Sequence, residues 1–114
     1  MNVVTLIGNL ATDVDLRELE GDKRVANFLL AIDRPGSEEA DFVRITVWDK
    51  QAEACTRYLV KGRRVAVDGR LRSSSWEEDG KRRSAIEVVA RSVQFLSSPD
   101  TAAAAEVPFE GAAA

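Results

Sequence analysis

Five short segments rich in valine, isoleucine and aromatic residues, interrupted once by a helical pattern, constrain this chain more than any other feature. They run Val3 to Ile7, Arg24 to Ile32, Phe42 to Trp48, Arg64 to Leu71 and Ile86 to Phe95. β-Branched and aromatic side chains suit a pleated, half-buried surface, so each segment reads as a strand. Turn signals separate them at Gly21-Asp22, Arg34-Pro35-Gly36-Ser37 and Glu78-Asp79-Gly80-Lys81. Asp79-Gly80 is a strong hairpin dipeptide, because both residues tolerate the positive φ angles of a two-residue hairpin turn. Antiparallel connections follow.

The helical pattern lies between the third and fourth segments. Asp49 is placed to cap a helix over Lys50 to Leu59, Ala52, Cys55 and Leu59 share one inward stripe, and Gly62 stands just past the end. Glu53 and Arg57 are spaced for an i, i+4 ion pair on the outer side. An all-β chain of five strands, with one helix between strands three and four, has the element order of the OB-fold barrel. A chain of 114 residues suits one such domain. Composition changes after Leu96, where Ser97-Ser98-Pro99-Asp100 leads into an alanine-rich end. Residues 1–96 therefore read as the domain and residues 97–114 as a disordered tail, since an uncapped, unpartnered alanine segment is marginal as a helix in water.

Several function classes are disfavoured. No stretch approaches the roughly 18 consecutive apolar residues of a membrane helix, and no signal peptide opens the chain, so a cytoplasmic protein without a membrane partner is expected. There is no histidine, one cysteine, and Asp13 and Asp15 are followed by no third ligand motif. Neither an enzyme nor a cofactor or metal is expected from such a set. The lone Cys55 reads as a buried, inert thiol. All 16 Lys and Arg lie in the domain, whereas Asp100, Glu106 and Glu110 take three of the 19 acidic residues into the tail. The domain is neutral, so any claim of nucleic-acid binding must rest on where its cations point.

The third strand, Asp41-Phe42-Val43-Arg44-Ile45-Thr46-Val47-Trp48, is informative on that point. Alternation sends Val43, Ile45 and Val47 to the core and Phe42, Arg44, Thr46 and Trp48 to the outer face. Two large aromatics flanking a cation suit an unstacked nucleic acid: rings offer π-faces to any base and arginine meets phosphate or stacks. They equally suit packing against a loop or a partner subunit. On the fourth strand Val65, Val67, Gly69 and Leu71 alternate with Arg64, Ala66, Asp68, Arg70 and Arg72. Beyond it, Trp76 stands in a polar finger, Ser73 to Ser84, beside Lys81, Arg82 and Arg83. Such a finger can close over a single strand, or lie as a solvated hairpin with its tryptophan folded back.

These residues carry a resemblance. Val4-Thr5-Leu6-Ile7-Gly8-Asn9-Leu10, Val25-Ala26-Asn27-Phe28, Val47-Trp48-Asp49-Lys50-Gln51-Ala52-Glu53, Tyr58-Leu59-Val60-Lys61-Gly62 and Val67-Asp68-Gly69-Arg70-Leu71-Arg72 occur in order, followed by Trp76. Over residues 2–96 the chain resembles the bacterial single-stranded DNA-binding protein family. The resemblance implies sequence-tolerant binding of single-stranded DNA in replication, repair and recombination, and assembly as a homotetramer. Carried over by position, it makes Phe42, Trp48 and Trp76 stacking residues and has Arg44, Lys50, Lys61 and Arg72 meet phosphates. Three features depart from the family pattern. The loop Arg34 to Asp41 lacks an aromatic, Ser74 and Ser75 replace basic residues, and Val107-Pro108-Phe109 is followed by five further residues with only Glu106 and Glu110 beside it. Replication or repair proteins are accordingly expected to bind the tail weakly or not at all, and the short tail also resembles the specialised second copy some bacteria keep.

Two other readings compete. A protein-interaction OB module would use Phe42 and Trp48 to bind protein. A duplex reader is disfavoured, since the sole helical pattern lacks the arginine, asparagine and glutamine cluster that reads major-groove edges.

Overall fold

Strand and turn signals of this kind become structure where backbone ladders can close. The computed structural model describes residues 1–96. Its strands are β1 (Val4–Leu10), β2 (Asp15–Glu18), β3 (Arg24–Asp33), β4 (Ala40–Trp48), β5 (Arg64–Glu78) and β6 (Lys81–Phe95), with helix α1 (Asp49–Tyr58) between β4 and β5. β1 pairs with β5 along Val4 to Asn9 and with β3 at Asn9 and Leu10. β3 pairs with β4, β4 with β6 in parallel, and β6 with β5, so five strands close into a ring. This is the expected OB-type barrel with its helix.

Three details differ from the sequence expectation. The short β2 precedes β3, so the helix follows the fourth strand in chain order rather than the third. The finger is a continuation of β5 and β6, each 15 residues long, and its ladder runs unbroken from Ser73–Ile86 to Glu78–Lys81. Polar side chains do not oppose this, because a two-stranded ribbon is held by backbone hydrogen bonds and can be wet on both faces. Asp79 (φ 54°) and Gly80 (φ 77°) form its tip, as their sequence suggests. Finally, Glu53 pairs with Arg24 of β3 in place of Arg57, and no side-chain hydrogen bond caps α1 at Trp48. Asp49 takes φ 53°, a left-handed conformation that Asp tolerates better than most residues.

The interior follows the alternation. Phe28, Leu30, Ile45, Val47, Val65, Val67 and Val88 are buried with Cys55 of α1 and with Leu59, the expected last residue of the helix, which instead follows it in extended backbone; Ala52 of α1 is buried too. Burial pushes the Cys55 thiol up to about 11, which keeps it protonated and poorly reactive. Among the described residues, no helix is long and apolar enough to cross a membrane. The tail expected at residues 97–114 lies outside the described residues.

Barrel closure brings two glycines against neighbouring backbone. A Cβ on Gly8 would strike the carbonyl oxygen of Ala31 on β3, and one on Gly69, at the bulge in the β5–β6 ladder, would strike that of Val89. Gly8→Ala should therefore cost about 1–3 kcal/mol, the usual range for overpacking a tight site. Urea unfolding checks this: a variant as stable as the parent would show that the strands can part there without cost.

Candidate nucleic-acid interface

The outer face of the sheet is built by register. Opposite residues of an antiparallel pair share a face, so Phe42, Arg44, Thr46 and Trp48 of β4 lie beside Ala31, Leu29, Asn27 and Val25 of β3. On the other flank, Arg72 of β5 faces Glu87 of β6, and Trp76 faces Arg83 further along the ribbon. The hydrogen bond from Thr46 Oγ1 to Glu87 Oε1 joins the flanks and shows that both pairs belong to one surface.

Phe42 is 62% exposed, a large value for a phenylalanine on a closed sheet. Leu29 beside it is also open to solvent, Trp48 is half-buried, and Arg44 is exposed between the two aromatics. Six residues of strand place Phe42 and Trp48 about 20 Å apart. Lys50 follows Trp48 in the first turn of α1 and is exposed. Trp76 lies on the ribbon's same side as Arg72, roughly 13 Å along the strand, half open, with its indole N–H 3.3 Å from Glu78 Oε2.

Thus the structure brings Phe42, Arg44, Trp48 and Arg72 onto one surface, sets Lys50 at its edge and carries Trp76 away on the ribbon. Lys61 is not part of this group. It follows the far end of α1, and its backbone N–H donates to Asp13 Oδ1 at 2.8 Å.

Sequence reasoning missed the polar row that crosses the middle of the face. Thr46, placed outward by alternation, is 2% exposed. Its one proton goes to Glu87, and the Asn27 amide lies 2.9 Å from the same hydroxyl, so that amide must turn its NH2 toward Thr46. Arg72 donates from Nε (3.2 Å) and Nη2 (2.8 Å) to Glu87 Oε2. Burial pushes the Glu87 carboxyl up, but the Thr46 hydroxyl, the Arg72 hydrogen bonds and the charges of Arg72 and Arg44 outweigh it and hold the carboxyl below its ordinary value. A sequence signal existed. Counting equal steps outward from the Glu78–Lys81 pair at the turn places Arg72 opposite Glu87.

A second ion cluster steadies the loop before β4. Arg34 donates to Glu39 at 2.9 Å and to Asp41 at 2.6 Å, and it holds the exposed Asp41 carboxyl below the usual carboxylate range. These pairs lie in the segment leading directly into Phe42.

Comparison with known proteins bears on the family. A family model described as the single-strand binding protein family matches residues 1–96. A relative named single-stranded DNA-binding protein 3, from Listeria innocua, is 44% identical over 109 residues, covering 90% of this chain and 68% of the relative. A protein of the same name from Clostridium acetobutylicum is 46% identical over 102 residues, covering 84% and 71%. A single-stranded DNA-binding protein from Bacillus cereus is 47% identical over 102 residues, covering 84% and 60%. Each relative thus has length outside the match.

Two outcomes follow from the polar row. Thr46→Val leaves one Glu87 oxygen and the Asn27 amide without their shared partner, and should destabilise the fold by about 1–3 kcal/mol in urea unfolding. Glu87, held below its unfolded value near 4.3, stabilises the fold above that pH, and the contribution disappears as pH falls through the lower folded value. Glu87→Gln should therefore lose less stability than the parent as pH is lowered from about 5 into the acid range. Equal losses on acidification would remove the carboxylate from the account.

Proposed function

Because this chain belongs to the single-strand binding protein family, we propose that it binds single-stranded DNA along the β3–β4–β6–β5 face, without catalysis and with little regard to base sequence. In this reading the protein protects and organises single strands in replication, repair and recombination in the cytoplasm. The observation that carries it is Phe42, open to solvent near the start of β4, with Arg44 and Trp48 on the same row.

Phe42, Trp48 and Trp76 stack on bases, each ring meeting the π-face common to all four. Arg44 and Lys50 meet phosphates on this face, Lys61 meets one off the face beyond the end of α1, and Arg72 reaches the strand from β5. Residues 1–96 are the binding unit. An extended strand following β4 would pass Phe42, Arg44 and Trp48 in turn, and the ribbon brings Trp76 from the side.

The decisive experiment is a fluorescence titration with poly-thymidine at several salt concentrations, against duplex competitor. Tryptophan emission should fall as bases stack on Trp48 and Trp76. Phe42→Ala and Trp48→Ala should each weaken binding by about 1–3 kcal/mol while changing stability less. Neutralising Arg44 or Lys50 should flatten the salt dependence by about 0.7 in log–log slope, one phosphate each. If the aromatic variants bind the strand normally but lose a protein partner, the face is a protein-interaction surface instead.

Assembly as a homotetramer belongs to the same proposal. β1 pairs with β3 only at Asn9 and Leu10, so its edge over Val4 to Gly8 on that side is open to another strand. Val3, Ile7, Leu71 and Ile86 are exposed apolar residues of β1's surroundings and the ribbon, the kind of surface that a second copy covers. Sedimentation at micromolar concentration should give a tetramer, and a monomer there would refute the assembly.

A further inference from the structure

Arg72 differs from the other cations assigned to the DNA strand. Among the described residues, Arg44, Lys50 and Lys61 enter no ion pair, whereas Arg72 places two donors on one oxygen of Glu87. The other carboxylate oxygen is held by Thr46, itself backed by Asn27. These four side chains cross four neighbouring strands in the order β3, β4, β6, β5. The Glu87 side chain is 14% exposed and that of Arg72 is 40% exposed.

A carboxylate so enclosed cannot turn to water and release its arginine, because that would strand a charge and leave Thr46 without its acceptor. A DNA phosphate arriving at Arg72 meets a guanidinium whose charge is already cancelled. Yet Arg72 keeps donors to spare, since a guanidinium has five N–H groups and Glu87 engages two. Its planar group also remains available for stacking.

We infer that Glu87 is a positioning residue of the DNA-binding face, which fixes Arg72 in place and withdraws its charge from phosphate neutralisation. Arg72 then meets the strand as an oriented hydrogen-bond donor and a flat stacking surface. The face binds through fewer phosphates than its cations suggest, so binding survives a rise in salt better than it would with Arg72 free. The inference rests on the reading that this face binds single-stranded DNA.

Poly-thymidine titrations of the full chain at several salt concentrations test it, with Glu87→Gln and the double variant Arg72→Gln/Glu87→Gln. Glu87→Gln frees the arginine charge, so its log–log salt slope should steepen by about 0.7. Its affinity relative to the parent should grow about fivefold for each tenfold fall in salt. The double variant removes a neutral pair. Its slope should return to the parent value, while its affinity is lower by a factor that is the same at every salt concentration. The inference is overturned if Glu87→Gln keeps the parent slope and the double variant loses about 0.7, because Arg72 is then an ordinary phosphate contact. Should Glu87→Gln alone fail to fold, the double variant decides, since it removes the buried charge together with its partner. A parent chain that does not bind poly-thymidine overturns the strand-binding reading and this inference with it. Binding with the second pattern of slopes overturns the inference alone.

Discussion

Closing a five-stranded sheet on itself requires β1 to serve two neighbours, and the close approach of β1 to β3 at Gly8 is what permits it. With hydrogen in place of a side chain, Gly8 sits against the Ala31 carbonyl while β1 still pairs with β5. Gly69 plays the corresponding part at the bulge where β5 crosses β6. Closure then sets β4 beside β6 in parallel, at Ile45–Val88 and Thr46–Val89. That parallel contact links two parts of the chain that no hairpin joins. It puts Ile45 and Val88 together in the core and, on the other side of the same ladder, brings Glu87 to Thr46. The core and the outer face therefore depend on one closure.

A neutral domain can present a cationic surface if its acids are spent elsewhere. Here Asp15 meets Arg17, Glu53 meets Arg24, Glu39 and Asp41 meet Arg34, and Asp68 meets Arg91. Pairs this exposed contribute little to stability. Among the described residues, Arg44 and Lys50 enter no ion pair beside the aromatics. Glu87 is the exception, an acid in the middle of the face, and it is held by more partners than any of the others.

The barrel was legible in sequence where a periodic pattern met a buried surface. Val43, Ile45 and Val47 face inward as their alternation requires, Ala52 and Cys55 share the inner stripe of α1, and Leu59 is buried just past its end. Asp79-Gly80 announced its turn because positive φ restricts residue choice so strongly. What escaped notice lacked such a pattern. Asp15-Leu16-Arg17-Glu18 holds a single apolar residue and becomes β2 by pairing with β3. The Ser73–Glu78 stretch becomes strand because its partner is in register, whatever its polarity. The outer face was half legible: alternation put Phe42, Arg44, Thr46 and Trp48 there, but local sequence says nothing of the parallel neighbour that buries Thr46. Lys61, joined to the others by resemblance, sits apart from them because its position is set by the end of α1 and by Asp13.

The same hydrogen-bond inventory bears on why such a face would tolerate any base sequence. Adenine and cytosine edges are read by amide and carboxylate groups with donors and acceptors free to meet them, and guanine by a cation held in the plane of its edge. Near this face those groups are engaged. The Asn27 amide is bound to Thr46, Glu87 receives Thr46 and Arg72, and Gln51 donates to the Arg91 carbonyl at 2.7 Å. Farther off, Asn2 both donates to and accepts from the Leu71 backbone. What remains open are rings, guanidinium and ammonium groups, which recognise the features common to all nucleotides: a flat base and an anionic phosphate. Sequence tolerance on this surface is thus a consequence of internal satisfaction. The amides and carboxylates near the face are spent holding the sheet's outer layer together, and the groups left for a ligand are rings and cations suited to a base plane and a phosphate.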